Sequence, residues 1–180
     1  MLKSVLTKPR MVMAALILTF AISDKQIEKL GDNYQIALPV IALGCALTNG
    51  QAVDFFVRYW VQWGIVHGSK ELLGTAEINR RPNGKKRGMP SGHSATAAFG
   101  ASNLVHQCLG QNLFVKGAVI LTAGFVGGSR IAAGAHDIWQ VMAGILVGWL
   151  VDRGFRKTSP MRRAQQAIAW LKARLDRGPV

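Results

Sequence analysis

Residues 90–109 read Pro-Ser-Gly-His-Ser-Ala-Thr-Ala-Ala-Phe-Gly-Ala-Ser-Asn-Leu-Val-His-Gln-Cys-Leu, a short polar turn that opens directly into an apolar run. A histidine and a serine set at the mouth of an apolar helix place polar chemistry at the end of a buried or membrane-embedded element. Five further runs of the same kind flank it: Met11 to Ile22, Tyr34 to Leu47, Ala52 to Val66, Leu113 to Gly128, and Ile138 to Val151. Each is shorter than the ~20 residues that cross a bilayer core, so flanking residues must join the helices. The chain is 49% hydrophobic and 17% charged over 180 residues, more apolar than a soluble domain of that size. The expected fold is all-α, an integral membrane bundle of about six helices, or five if the first run is a cleaved signal peptide. Lys3, Lys8 and Arg10 ahead of that run, with Ala21-Ile22-Ser23 after it, fit either reading.

The charge is unevenly placed. Net +3 falls in residues 1–10, +4 in residues 68–92 and +6 in residues 152–180, which together carry the whole excess of +13. Basic residues that cap apolar stretches do not form the polar basic face of a nucleic-acid binder, so no nucleic acid is expected. With the basic amino end in the cytoplasm, alternate crossings return the basic tail to the same side. The loop around Arg80 to Arg87 then lies outside, against the positive-inside trend, which suggests that its charge serves a ligand. The organisation expected is a first apolar helix or signal anchor in residues 1–33, a core bundle in 34–151 and a basic cytoplasmic tail in 152–180.

Several features fit helix packing. Gly124 with Gly128, Gly144 with Gly148, and Ala97 with Ala101 are small residues four apart, a spacing that lets membrane helices approach closely. Asp54 and Arg58 have the spacing of an ion pair on one helix face. Cys45 and Cys108 lie in apolar runs without metal-ligand spacing and read as buried packing residues. In the tail, Ile168, Leu171 and Leu175 line one side of an amphipathic helix suited to an anionic membrane surface, or of a solvated helix. Trp60, Trp63, Trp139 and Trp149 fit interfacial or bundle packing. His67 and His106 stand outside any motif.

Chemistry gathers at three places in order: Arg81-Pro82, then Pro90-Ser91-Gly92-His93, then Ser129-Arg130 with His136 six residues after the arginine. Two histidines, two arginines and a Ser-Gly turn are what a protein needs to hold a phosphoryl group, attack it and protonate what leaves. On these motifs the chain resembles the type 2 phosphatidic acid phosphatase superfamily across roughly residues 34–151. That family's pattern is a lysine, six residues and Arg-Pro; Pro-Ser-Gly-His; and Ser-Arg, five residues, His, three residues and Asp. The chain departs from it twice. The lysine position is Gly74, with Lys70 one helical turn earlier and Lys85 or Lys86 as substitutes, and the aspartate position is Gln140.

The resemblance implies metal-independent displacement at phosphorus with no cofactor: His136 as nucleophile and His93 as general acid and then base. It implies a phosphate cradle of Arg81, Arg130, Ser91, the Gly92 backbone N–H and Lys70. Ser129 is either part of it or a packing residue. Gln140 would orient His136 through its amide oxygen, while Asp137 lies roughly 100° round a helix and is a poorer orienter. The substrate implied is a lipid phosphate monoester or a prenyl diphosphate, reached at the outer or periplasmic face of a bacterial-type cytoplasmic membrane. The other readings are a weak or inactive lipid-phosphate-binding membrane protein, drawn from Gln140 and Gly74, and a periplasmic acid phosphatase on small esters. Oligomeric state is left open.

Overall fold

A computed structural model describes residues 7–24, 26–154 and 168. Among the described residues it contains six α-helices and a 3₁₀ turn and no strand: α1 (Lys8–Ile22), α2 (Ile27–Thr48), α3 (Ala52–Leu73), the turn Glu77–Asn79, α4 (Gly92–Gln107), α5 (Leu113–Ala132) and α6 (Ile138–Gly154). The all-α bundle is as the apolar runs predict. The expected lengthening by flanking residues is also present. Helix α2 starts at Ile27, seven residues before the apolar run, and α3 continues seven residues past Val66 to Leu73. Both extensions carry polar groups, Glu28 and Asp32 on one and Lys70 on the other, to one end of the bundle. By length and composition α2, with 22 residues, and α5, with 20, suffice to cross a membrane.

Helix α4 is the centre of the molecule, with an unbroken buried stretch from Ser94 to Leu104, packed by α2, α5 and α6. Small residues make that possible. A Cβ at Gly144 would lie 2.3 Å from the carbonyl oxygen of Ser91, and one at Gly148 2.1 Å from that of Ala95, so α6 rests on the α4 backbone. Ala97 and Ala101 are buried as the spacing predicts. On α5 the reading needs correction, because Gly124 and Gly128 face open space and Gly127 is the residue against α6, 2.8 Å from Val141 in the same construction. Counting in fours picked the wrong face of α5. Because backbone cannot retreat, Gly148→Ala should lower stability by about 1–3 kcal/mol, read as a lower midpoint of thermal unfolding in detergent.

The expected Asp54 and Arg58 ion pair is also corrected. Arg58 Nε donates to the backbone oxygen of Asp54, while its guanidinium pairs with Asp152 of α6 at 2.9 Å. Ser102 and Asn103 of α4 donate to the same carboxylate at 2.6 and 3.2 Å. Arg58 and Asp152 are 3% and 0% exposed, so a cross-helix partner takes precedence over the same-face one because it neutralises both charges in the interior. Cys45 and Cys108 are buried as expected, and they are bonded to each other, with Cα atoms 6.1 Å apart across α2 and α4. Spacing in sequence carried no sign of that pairing. The amphipathic tail helix expected around Leu171 and Leu175 lies outside the described residues.

Candidate active site

At the end of the bundle opposite the Arg58 and Asp152 pair, five elements converge: the starts of α2, α4 and α6 and the ends of α3 and α5. The Pro-Ser-Gly-His turn sits in the middle. The Met89–Pro90 peptide is cis, and Ser91 is the N-cap of α4, its buried hydroxyl accepting from the Ser94 backbone N–H at 3.4 Å. The Ser94 hydroxyl donates to the same oxygen at 3.0 Å. The Ser91 backbone N–H donates to the carbonyl of Gln140 at 2.8 Å, which ties the turn to α6. Gly92 and His93 therefore open α4 with its positive dipole end facing the site.

The second half is built by the end of α5. Ser129 and Arg130 are buried in its last turn, and the following loop folds back so that the N–H groups of Ala135 and His136 both donate to the Arg130 carbonyl. Asp137 caps the start of α6, its carboxylate accepting from the Gln140 N–H at 2.9 Å. Gln140, in the first turn of α6 and fully buried, sits beside His136, with Oε1 3.0 Å from Nδ1. Its other end is fixed: Nε2 donates to the carbonyls of Arg80 at 2.8 Å and Ile78 at 3.2 Å. Two carbonyl acceptors require the NH₂ group on that side, so the oxygen faces the ring and His136 carries its proton on Nδ1. Gly88 leaves room for this amide, since a Cβ there would lie 2.5 Å from Nε2.

A physical reason follows for glutamine at the position where the resemblance expects aspartate. A carboxylate has no proton to give to Ile78 and Arg80, and would face two carbonyl oxygens across a buried contact. Gln140 orients the histidine and pins the arginine loop together, which one carboxylate cannot do.

His136 is 2% exposed, and burial pushes its pKa down to about 4. The hydrogen bond to Gln140 acts in the opposite sense, and the charges of Arg81, Lys70 and His93 add to the lowering. The imidazole is thus neutral at pH 7, with its Nε2 lone pair free of the Gln140 contact.

The cations gather around it. Lys70, in the last turn of α3, directs Nζ to within 3.8 Å of where a Gly92 Cβ would stand, so a lysine one turn early reaches the turn after all. Arg81 donates through Nη2 to the Arg87 carbonyl at 3.3 Å, and its buried Nε meets no acceptor among the described residues. Lys85 and Lys86 are exposed on the loop, and the exposed Arg87 is paired with Glu71. Arg130 is held from three sides: Nε donates to the Ser129 hydroxyl at 3.2 Å, Nη2 to the Glu28 carbonyl at 2.7 Å, and Nη1 lies 2.9 Å from Asp32. Ser129 doubles as a packing residue, because Gly31 of α2 presses on it so closely that a Cβ would lie 2.0 Å from its hydroxyl. His67 stacks on Trp63 and His106 meets Arg153, so neither belongs to this cluster.

Asp32 and Glu28 are the site residues that motif reading misses. They precede the second apolar run and match no pattern. Only the approach of α2 to α5 at Gly31 brings them to Arg130.

A helical bundle with two histidines, one neutral and one beside a carboxylate, and three cations at one end defines a phosphate-handling class of protein. The family model described as the PAP2 superfamily matches residues 10–164, and the chain belongs to that superfamily. It is also similar to a lipid A 4'-phosphatase of Helicobacter pylori, 36% identical over 97 residues, which cover 49% of this chain and 48% of the relative. The match thus spans about half the length of that relative. No solved structure matches the chain.

Proposed function

We propose that this chain is a membrane phosphatase that hydrolyses a lipid phosphate monoester or prenyl diphosphate through a phosphohistidine on His136. The observation that carries the reading is the environment of His136: a buried imidazole, neutral down to about pH 4, its tautomer set by Gln140 and its surroundings cationic. Superfamily membership and the similarity to a lipid A phosphatase support a lipid substrate.

In the first step the Nε2 lone pair of His136 attacks phosphorus, the bond from phosphorus to the leaving oxygen breaks, and His93 gives that oxygen a proton. In the second, water attacks the phosphohistidine, His93 takes the water's proton, and the phosphorus–nitrogen bond breaks to release phosphate. Lys70, Arg81 and Arg130 stabilise the equatorial oxygens, where negative charge spreads in the transition state. The unmatched Nε of Arg81 is a donor left for such an oxygen. The start of α4 and the Gly92 N–H contribute the anion-favouring end of a helix, while the Ser91 hydroxyl serves the turn itself by capping. We place the site on the outer or periplasmic face of the cytoplasmic membrane, where a headgroup enters while its acyl or prenyl tail stays in lipid.

The test is inorganic phosphate release by detergent-purified protein from a panel of lipid phosphates and diphosphates, with EDTA present. Release that survives EDTA is expected, and its rank order names the substrate. No release from folded protein that binds vanadate would support the lipid-phosphate-binding reading instead.

The pH dependence offers a second check. In Gln140→Glu a carboxylate 3 Å from the ring would favour the imidazolium, so His136 would gain its proton at a higher pH than in the wild type. The acid limb of kcat/KM should therefore move up by about one pH unit. The variant also removes the donors to Ile78 and Arg80, costing about 1–3 kcal/mol of stability for each group left unsatisfied. Rates measured from pH 4 to 8 beside thermal unfolding separate the two effects.

A further inference from the structure

The residue proposed as the acid and base has a carboxylate partner that no motif marks. Asp32 Oδ1 lies 3.1 Å from His93 Nε2 and 2.9 Å from Arg130 Nη1. The side chain is 42% exposed, yet Oδ1 itself is buried, beside the imidazole and the guanidinium. Neither contact is aligned as a hydrogen bond, so both are ion-pair contacts by distance, and catalytic contacts commonly tighten only around substrate. Arg130 is anchored by the carbonyl of Glu28, one turn before Asp32 on α2.

The charged and titratable groups acting on His93 come from every side: Asp32 on α2, Lys70 on α3, Arg81 in the loop, Arg130 on α5, and His136 before α6. Asp32 is the negative one among them. Burial, and after it the charges of Arg130, Lys70 and Arg81, hold the His93 pKa below its usual value, whereas a general acid must carry a proton when the leaving group departs. The carboxylate at 3.1 Å acts in the opposite sense and counters part of that lowering.

We propose that Asp32 is the positioning carboxylate of His93, holding the ring with a proton on Nε2 and stabilising the imidazolium that protonates the leaving oxygen. The proposal rests on the phosphatase reading above. It gives the two histidines different partners: the nucleophile beside a neutral amide and the acid beside a carboxylate, which favours a proton on the acid more than the amide does on the nucleophile.

The experiment compares wild type with Asp32→Asn on two monoesters across pH. An alkyl phosphate has a leaving alkoxide that needs a proton, and p-nitrophenyl phosphate has a leaving phenolate that does not. Expected for Asp32→Asn is a loss in kcat of at least about tenfold on the alkyl ester, with a much smaller loss on the nitrophenyl ester. KM should stay nearly constant, the basic limb of kcat/KM should move down by about one pH unit, and Asp32→Glu should recover part of both. Equal losses on the two esters, or an unmoved basic limb in a folded variant, would overturn the proposal. Should Asp32→Asn not fold, or wild type release no phosphate from either ester, nitrogen NMR of the wild type takes over, with the His93 signal assigned through His93→Gln. A proton on Nε2 at neutral pH supports the proposal and an unprotonated Nε2 overturns it. Absent turnover with that proton in place would count against the phosphatase reading alone.

Discussion

His136→Ala is expected to abolish phosphate release from every lipid phosphate that the wild type hydrolyses, by at least about 10⁴-fold. The size of the effect follows from what the side chain supplies. Under the proposed phosphohistidine mechanism its removal leaves no nucleophile to take the phosphoryl group, and the remaining cations can only hold the ester and stabilise a direct attack by water. The fold should survive, because His136 lies in the short loop between α5 and α6, and alanine keeps the backbone N–H that donates to Arg130. Vanadate or lipid-phosphate binding should therefore persist in the variant while turnover disappears. The check is phosphate release at saturating substrate beside a binding measurement on the same preparation. Turnover within about tenfold of wild type would remove the histidine from the nucleophile's role.

Arg58→Ala should produce the largest loss of stability among single substitutions far from the site, about 3–5 kcal/mol. It would take from the carboxylate of Asp152, which is 0% exposed, the guanidinium 2.9 Å away that neutralises it in the interior. For a chain of 180 residues that corresponds to a fall in the unfolding midpoint on the order of 10 °C. The double variant Arg58→Met with Asp152→Leu removes both charges at once and should recover most of the loss, since well-packed apolar replacements of a buried pair are often neutral. Thermal unfolding of the two proteins in the same detergent distinguishes a charge left unpaired from a simple packing defect.

Much of the architecture was legible in the chain. Apolar runs of 12 to 16 residues mark six helices because in such stretches the backbone must bond to itself, and polar turns must separate them. The site's motif residues were equally legible, since the Pro-Ser-Gly-His turn and the spacing from Arg130 to His136 are local features that a helix start and a helix end reproduce. Helix lengths were less so: polar first turns such as Ile27 to Asn33 carry no apolar signal, and they become helical through packing against α5.

The sequence by itself determined that this is an all-helical PAP2-type chain with two histidines and their arginines near helix ends, because those facts depend on neighbours within one or two turns. Partners distant in the chain were decided by the tertiary structure alone: Arg58 with Asp152 rather than Asp54, Cys45 with Cys108, Gly127 rather than Gly124 against α6, and Asp32 beside His93. Each depends on which face of one helix meets which face of another. That is set by the close approach of Gly31 to the Ser129 side chain and of Gly144 and Gly148 to the α4 backbone, and by the cost of leaving a charge alone in the interior, neither of which leaves a mark at fixed spacing along the chain.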